Sequence, residues 1–321
     1  MERQPRTARE RFDPPLLRLR WTTDAAKSRS DFLADARAHT GWDAAHFDSM
    51  LWHGGLHLGG RPHTSDELPD TIAAGIRVDA YAFTNEPEAI AISAAHVLVD
   101  ARDWLAIDKP AWLTTQRTRA SRRLSLETAL RELTGCVSLV AVHRLDRETS
   151  GVVLFAKTAD AAARLGRVFA EGGARKRYTA LVSPQPANAE WEVSGFLGRV
   201  LDPQRYRFAL RNEPEPGFRF SHTRFVRLSD DGARVAVACV PTTGRSHQIR
   251  VHLAATGTPI AGDVVYGGAP GVRTLLHAAE LSLPGIAELV SPLPAEFEIV
   301  ASAATPARAT RAPPSRFSSA H

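Results

Sequence analysis

Between residues 138 and 182 the hydrophobic pattern changes period twice. Ser138-Leu139-Val140-Ala141-Val142 and Val152-Val153-Leu154-Phe155-Ala156 are apolar runs of strand length. From Thr158 the spacing becomes helical, with Leu165, Val168 and Phe169 on one face. Gly172-Gly173 stops that helix, and Lys176-Arg177-Tyr178-Thr179-Ala180-Leu181-Val182 returns as a strand. Between the two apolar runs stands HRLDRETSG, residues 143 to 151. Turns between strands normally consist of Gly, Asn, Pro or Ser. A histidine, two arginines and two carboxylates packed into one turn therefore ask for a different reason.

The same reading organises the rest of the chain. Residues 1 to 27 carry many arginines and a Pro14-Pro15 pair and read as an arm over the surface. A compact αβ module follows over 28 to 84. Ser30-Asp31-Phe32-Leu33 opens one helix and Ala44 to Trp52 forms a second, which ends at Gly54-Gly55. Leu56-His57-Leu58 and Gly75 to Tyr81 alternate as strands. Residues 85 to 95 read as a linker. From 96 to 300, short strands and occasional helices follow without a regular βαβ period, which predicts an α+β domain with a mainly antiparallel mixed sheet and flanking helices. Within it, Ser246 suits the N-cap of a short helix carrying Ile249 and Leu253, with His247 and Arg250 on another face and Gly257 as its stop. Residues 301 to 321, rich in Ala, Pro, Ser and Arg, lack the apolar periodicity to pack.

Composition narrows the function only slightly. No apolar run reaches the roughly 18 residues of a membrane span, and the basic start leads into no apolar segment of the kind found in signal peptides. Two cysteines, Cys136 and Cys239, are too few for a disulfide framework. A cytoplasmic, monomeric protein with no membrane association is the expectation. A pI of about 9.6 and a formal charge of +5 suit a polyanionic partner. The basic residues are four lysines and otherwise arginines, which bind phosphate in bidentate fashion. His247 and His252, five apart on a helix, would diverge, and no HExxH pattern occurs, so no metal is expected.

Two motifs carry a specific resemblance. HRLDRETSG is similar to the HRLDxxTSG signature of RluA-type pseudouridine synthases at every fixed position. GRSHQIRVHLAATGTPIAGDVVYG, Gly244 to Gly267, resembles the second long signature of that family. Ala106-Ile107-Asp108-Lys109-Pro110, Lys176 to Leu181 and Leu276-His277-Ala278 fall in the family order. Trp112 departs from the pattern, which usually has glycine after the Lys-Pro pair. The helix-helix-GG-strand-turn-strand order of the N-terminal module resembles an S4 domain. Residues 29 to 83, however, hold four arginines against eight acids, a weak basis for an RNA grip.

The resemblance implies an RNA pseudouridine synthase that acts on structured RNA, ribosomal in preference to transfer RNA. The alternative on the same scaffold is a non-catalytic RNA-binding or ribosome-assembly protein. Isomerising uridine exchanges a C1′–N1 bond for a C1′–C5 bond with no net redox change, so no cofactor is expected. Asp146 matches the family nucleophile, Tyr178 the tyrosine that stacks on uracil, and Arg250 the basic partner of the carboxylate, with Arg245 as second choice. Arg144 is expected to fill the vacated stack or grip a phosphate. His143, Lys176, Arg245 and His247 complete the expected substrate contacts around an extruded base.

Overall fold

The computed structural model describes residues 7–201 and 207–298; the expected tail, and the first six residues of the expected arm, lie outside this range. The chain opens with a short helix, α1 (Ala8–Phe12), and a strand, β1 (Leu16–Thr22). A two-strand pair, β2 (Lys27–Ser28) with β5 (Thr71–Ile72), brackets helices α2 (Arg29–Thr40) and α3 (Ala44–His53) and the hairpin of β3 (Leu56–Leu58) and β4 (Arg61–His63). The unit closes with β6 (Arg77–Phe83), and its sheet runs β1-β6-β3-β4.

Ser28 and Asp43 cap the two helices by accepting the Asp31 and His46 N–H groups, and Gly41 and Gly54 end them in left-handed conformation. Phe32, Ala36, Phe47, Met50 and Leu51 of the helices pack on Leu56, Val78 and Ala80 of the sheet. The expected arm is corrected here. Leu16–Thr22 alternates apolar residues with arginine because it is a strand, paired antiparallel with β6 from Leu16↔Phe83 to Thr22↔Arg77. Leu17 and Trp21 face the core, while Arg18 and Arg20 face outward beside Arg77.

The larger sheet is built from β7 (Val97–Asp100), β8 (Trp104–Lys109), β9 (Val140–Ala141), β10 (Ser150–Ala156), β11 (Arg175–Val182), β12 (Glu190–Val200), β13 (Arg207–Arg211), β14 (Arg219–Asp230), β15 (Val235–Pro241), β16 (Leu276–Leu283) and β17 (Ile286–Val290). Its order is β13-β12-β14-β15-β11-β16-β10-β8-β7, with β9 on β10 and β17 on β16. Helices α4 (Leu126–Thr134), α5 (Ala159–Ala170) and α6 (Gln248–Ala255) pack on it. This is the expected α+β architecture: among the described residues the named strand pairs are antiparallel except β10 with β16.

The unbroken apolar run of β10 follows from burial on both faces. Val153 and Phe155 pack with Leu126 and Leu130 of α4, and Val152 and Leu154 pack with Ala161 and Leu165 of α5. A third core joins Ile249 and Leu253 of α6 to Ala180, Val182, Phe225 and Val237. Tyr178 packs against both of these cores and so lies where they adjoin.

The parallel junction of β10 and β16 depends on Gly151. Its φ is +113°, and a Cβ there would sit 2.2 Å from the Ala278 carbonyl oxygen. Gly151→Ala must therefore separate the two strands. A loss of at least about 2 kcal/mol of stability is expected, within the range for overpacking of a tight core. Urea denaturation of the variant checks it, and an unchanged midpoint contradicts the close approach.

Candidate active site

The loop between β9 and β10 is held at nearly every residue. Thr115 Oγ1 accepts the Leu145 N–H at 3.1 Å and donates to the Leu145 carbonyl at 3.1 Å. Lys109, fully buried, donates Nζ to the carbonyls of Leu113 (2.6 Å), Pro110 (2.9 Å) and Arg147 (3.1 Å). Burial pulls its pKa down to about 7, with the Asp146 charge acting in the other direction. Arg273 donates to the Glu148 carbonyl at 3.1 Å, and Glu148 Oε2 accepts from the Thr274 N–H at 2.8 Å. Ser150 Oγ meets His277 Nδ1 at 2.9 Å. Most of these contacts end on loop backbone, and of its polar side chains Glu148 and Ser150 take part in fastening it.

What the loop presents is Asp146, whose side chain is a quarter exposed at the floor of a cavity of about 560 Å³. His143, Arg144, Lys176, Tyr178, Arg245, His247 and Arg250 all line the same cavity. Residues from three separate stretches of sequence therefore converge, and the eight candidates read from the sequence share one site. Tyr178 reaches it from β11, two strands away from β10, across Ala278 of β16. Burial first, and then the Asp146 charge, push the Tyr178 phenol above the usual tyrosine range, so it stays protonated at neutral pH.

Arg250 is placed by α6, but not as expected. Its fork lies on Asp263, Nε to Oδ2 at 2.7 Å and Nη2 to Oδ1 at 2.8 Å, and Asp263 is itself buried. Only Nη1 reaches Asp146, at 3.4 Å. Burial opposes the guanidinium charge, but the Asp263 hydrogen bonds and the two carboxylate charges outweigh it and hold the pKa above the ordinary arginine value. Tyr266 lies beneath, its ring centroid 5.0 Å from the guanidinium carbon. Asp263 and Tyr266 belong to the second sequence motif, yet nothing in their spacing distinguishes them from turn residues.

The N-cap of α6 is also corrected. His247 occupies it, at φ 56°, in place of Ser246, and so it does not share a helix face with Arg250. Gln248 secures this turn by accepting from Thr243 Oγ1 and the Arg245 N–H, at 2.7 and 3.0 Å. The Tyr266 hydroxyl accepts the Phe208 N–H at 3.0 Å and lies 2.7 Å from His247 Nδ1. His247 Nε2 faces Asp146 Oδ2 at 3.9 Å. Burial lowers the His247 pKa, so the neutral ring is the working form.

The remaining candidates divide by geometry. Arg144 is exposed at the rim, and Arg245 turns its Nε to the Phe220 carbonyl at 3.1 Å. Lys176 donates to the Thr243 carbonyl at 3.3 Å. His143 is a brace as well as a wall: its Nε2 accepts the Leu154 N–H at 3.0 Å and its ring stacks on Phe169. Burial holds its pKa down at about 3, which keeps that acceptor unprotonated. Such a site offers one carboxylate beside a fixed positive charge, a protonated phenol, a neutral imidazole and a basic rim. No group of His, Cys, Asp and Glu with metal-ligating geometry occurs among the described residues.

The chain is similar to known proteins of one kind. Residues 103–255 match the RNA pseudouridylate synthase domain. The chain is 34% identical over 221 residues to an uncharacterised RNA pseudouridine synthase of Zymomonas mobilis, covering 64% of this chain and 97% of that one. It is 37% identical over 166 residues to ribosomal large subunit pseudouridine synthase C of Salmonella typhimurium, covering 47% and 51%. The structure of human RNA pseudouridylate synthase domain containing 1 superposes with a TM-score of 0.54 at 28% identity, over 65% of this chain and 86% of that chain. The chain spans about half the length of several relatives it matches, between 44% and 51%.

The two ion pairs of Arg250 should separate in their effect on stability. Asp263→Ala leaves a buried guanidinium without its fork, and a loss of about 3–5 kcal/mol is expected. Asp146→Asn breaks only a long contact to a partly exposed group, and a change under about 1 kcal/mol is expected. Paired urea melts of the two variants check the contrast, and equal losses would contradict the geometry.

Proposed function

Because this chain belongs to the RNA pseudouridylate synthase family, we propose that it isomerises specific uridines in structured RNA to pseudouridine, with Asp146 as the reacting carboxylate. The observation that carries this reading is the convergence of Asp146, Tyr178 and Arg250 in one cavity. The C1′–N1 bond breaks, C1′ bonds to C5, the proton on C5 departs and N1 gains one, so nothing enters from outside. A carboxylate can serve as the nucleophile that opens this exchange. Arg250, fixed by Asp263, supplies a charge that needs no reorganisation as the reaction proceeds. Tyr178, held protonated, acts by stacking on the base and cannot remove the C5 proton as a phenolate at neutral pH. His247 Nε2, 3.9 Å from Asp146 Oδ2, faces the same reacting centre and in its Nε2-protonated form would donate to an oxygen of the base.

The uridine must leave its helix to reach Asp146, and exposed Arg144 at the rim is suited to the gap it leaves. Ribosomal RNA is the proposed substrate, a reading supported by the match to a large-subunit synthase. A yeast mitochondrial tRNA pseudouridine(32) synthase is also similar, 32% identical over 210 residues, and makes transfer RNA the competing substrate. Purified protein incubated with total RNA, followed by pseudouridine mapping, separates the two. New sites in ribosomal RNA support the proposal, and sites confined to transfer RNA overturn its substrate.

Asp146→Asn should abolish isomerisation while RNA affinity stays within about threefold, since one exposed carboxylate contributes little to phosphate binding. Near wild-type turnover by this variant would remove Asp146 from the chemistry.

The first strand changes the account of how RNA is held. Arg18, Arg20 and Arg77 gather on one buried carboxylate, Asp79, at 3.7, 2.6 and 3.2 Å, and each side chain remains about half exposed. One carboxylate neutralises one of the three, so this face of the small sheet carries surplus charge suited to RNA phosphates. Replacing all three arginines by glutamine should lower the slope of log affinity against log salt by about 2. An unchanged slope in a salt titration of RNA binding would exclude this face from the contact.

A further inference from the structure

The two residues that follow Asp146 are gripped by the N-terminal segment. Arg147 Nη1 meets Asp13 Oδ1 at 2.9 Å and donates to the Phe12 carbonyl at 3.3 Å. Glu148 pairs through Oε1 with Arg9, while its Oε2 accepts from Thr274. The Arg9 guanidinium lies 5.5 Å from the Trp112 ring centroid, and Phe12 stacks on the same ring at 6.3 Å. Between these contacts the segment is secured by the Arg11 fork on Glu88, at 2.9 and 2.7 Å, and by the Glu88 N–H on the Arg11 carbonyl.

Trp112 makes this arrangement informative. Its φ is 69°, a left-handed conformation that glycine adopts freely and a bulky residue does not. With His247 it is one of the two non-glycine residues at positive φ among the described residues. Such a conformation persists only where the surroundings over-determine it. Here the surroundings are Arg9 and Phe12 on one side and the turn after Lys109, which holds the Arg147 carbonyl, on the other. None of Arg9, Phe12, Asp13 or Trp112 lines the cavity, and β1 of the small sheet begins only at Leu16.

The contact of Asp146 with Arg250, at 3.4 Å, is too long to orient the carboxylate alone. Since Asp146, Arg147 and Glu148 are consecutive, any rotation of the loop that freed the last two would also move the first. We propose that Thr7–Asp13 is a clasp on this loop, with Arg9, Asp13 and Trp112 as positioning residues that keep the Asp146 carboxylate in register with Arg250. The inference rests on the reading of Asp146 as the reacting group.

The test uses the full chain with Trp112→Gly, Trp112→Phe and the pair Arg9→Ala with Asp13→Ala. Glycine relieves the left-handed backbone at 112 but removes a buried ring, so Trp112→Gly is expected to melt lower. The Arg9→Ala, Asp13→Ala pair, which keeps Trp112, separates loss of the clasp from loss of fold. Amide exchange at residues 147–149 should quicken about tenfold in Trp112→Gly and in the double variant, as local opening becomes easier. Turnover on the RNA substrate should fall about tenfold to a hundredfold with KM nearly unchanged. Trp112→Phe, which keeps a ring for Arg9 and Phe12, should restore both readouts. Wild-type exchange at 147–149 in both clasp variants overturns the proposal, as does faster exchange with unaltered kcat. If the wild type converts no uridine in any RNA but exchange still responds, the assigned activity fails and the clasp itself stands.

Discussion

The site depends on one buried guanidinium shared unequally between two carboxylates. Arg250 gives its fork to Asp263, which is buried, and only an outer nitrogen to Asp146, which meets solvent. A charge held by both carboxylates equally would neutralise the proposed reacting group in a tight pair. The unequal division keeps the arginine fixed by Asp263 and leaves the Asp146 oxygens accessible from the cavity. It also places the cost of burying the cation on Asp263, which does not line the cavity.

Much of the surrounding structure serves to hold the other half of that arrangement. The loop carrying Asp146 is fastened by donors from β8, from the segment before α4 and from the residues preceding β16. Lys109 is the clearest case, since it is fully buried and its three donors end on three carbonyls. Rigid attachment of this kind keeps a reacting group within the small tolerance that a near-attack geometry demands. At the rim, Arg144 is exposed. A fastened floor with an exposed cation at its rim suits the proposed substrate, a uridine turned out of an RNA helix.

The small N-terminal unit shows how boundaries drawn on a sequence distort a charge balance. Counted from residue 29, it is acidic. Once β1 is included, Arg18 and Arg20 join Arg77 around Asp79 and one face becomes basic. The alternation in Leu16–Thr22 was visible, but arginine at every second position reads as readily as a solvated arm.

Elements with a strong local period were legible without the fold. β10, α5 and β11 lie within one or two residues of where their apolar spacing put them, because burial on a fixed face imposes that spacing whatever the partner. Asp146, Tyr178 and Arg250 were legible as members of motifs, and they do meet in one cavity. The sequence could not say which carboxylate holds the arginine, that His247 caps α6 in a left-handed turn, or that Arg9 lies between the Trp112 ring and Glu148 of the loop. The partner of Arg250 lies 13 positions away, and that of Arg9 lies 139 away. A one-dimensional pattern records which residue types can pair, and only the closed chain selects which of them do.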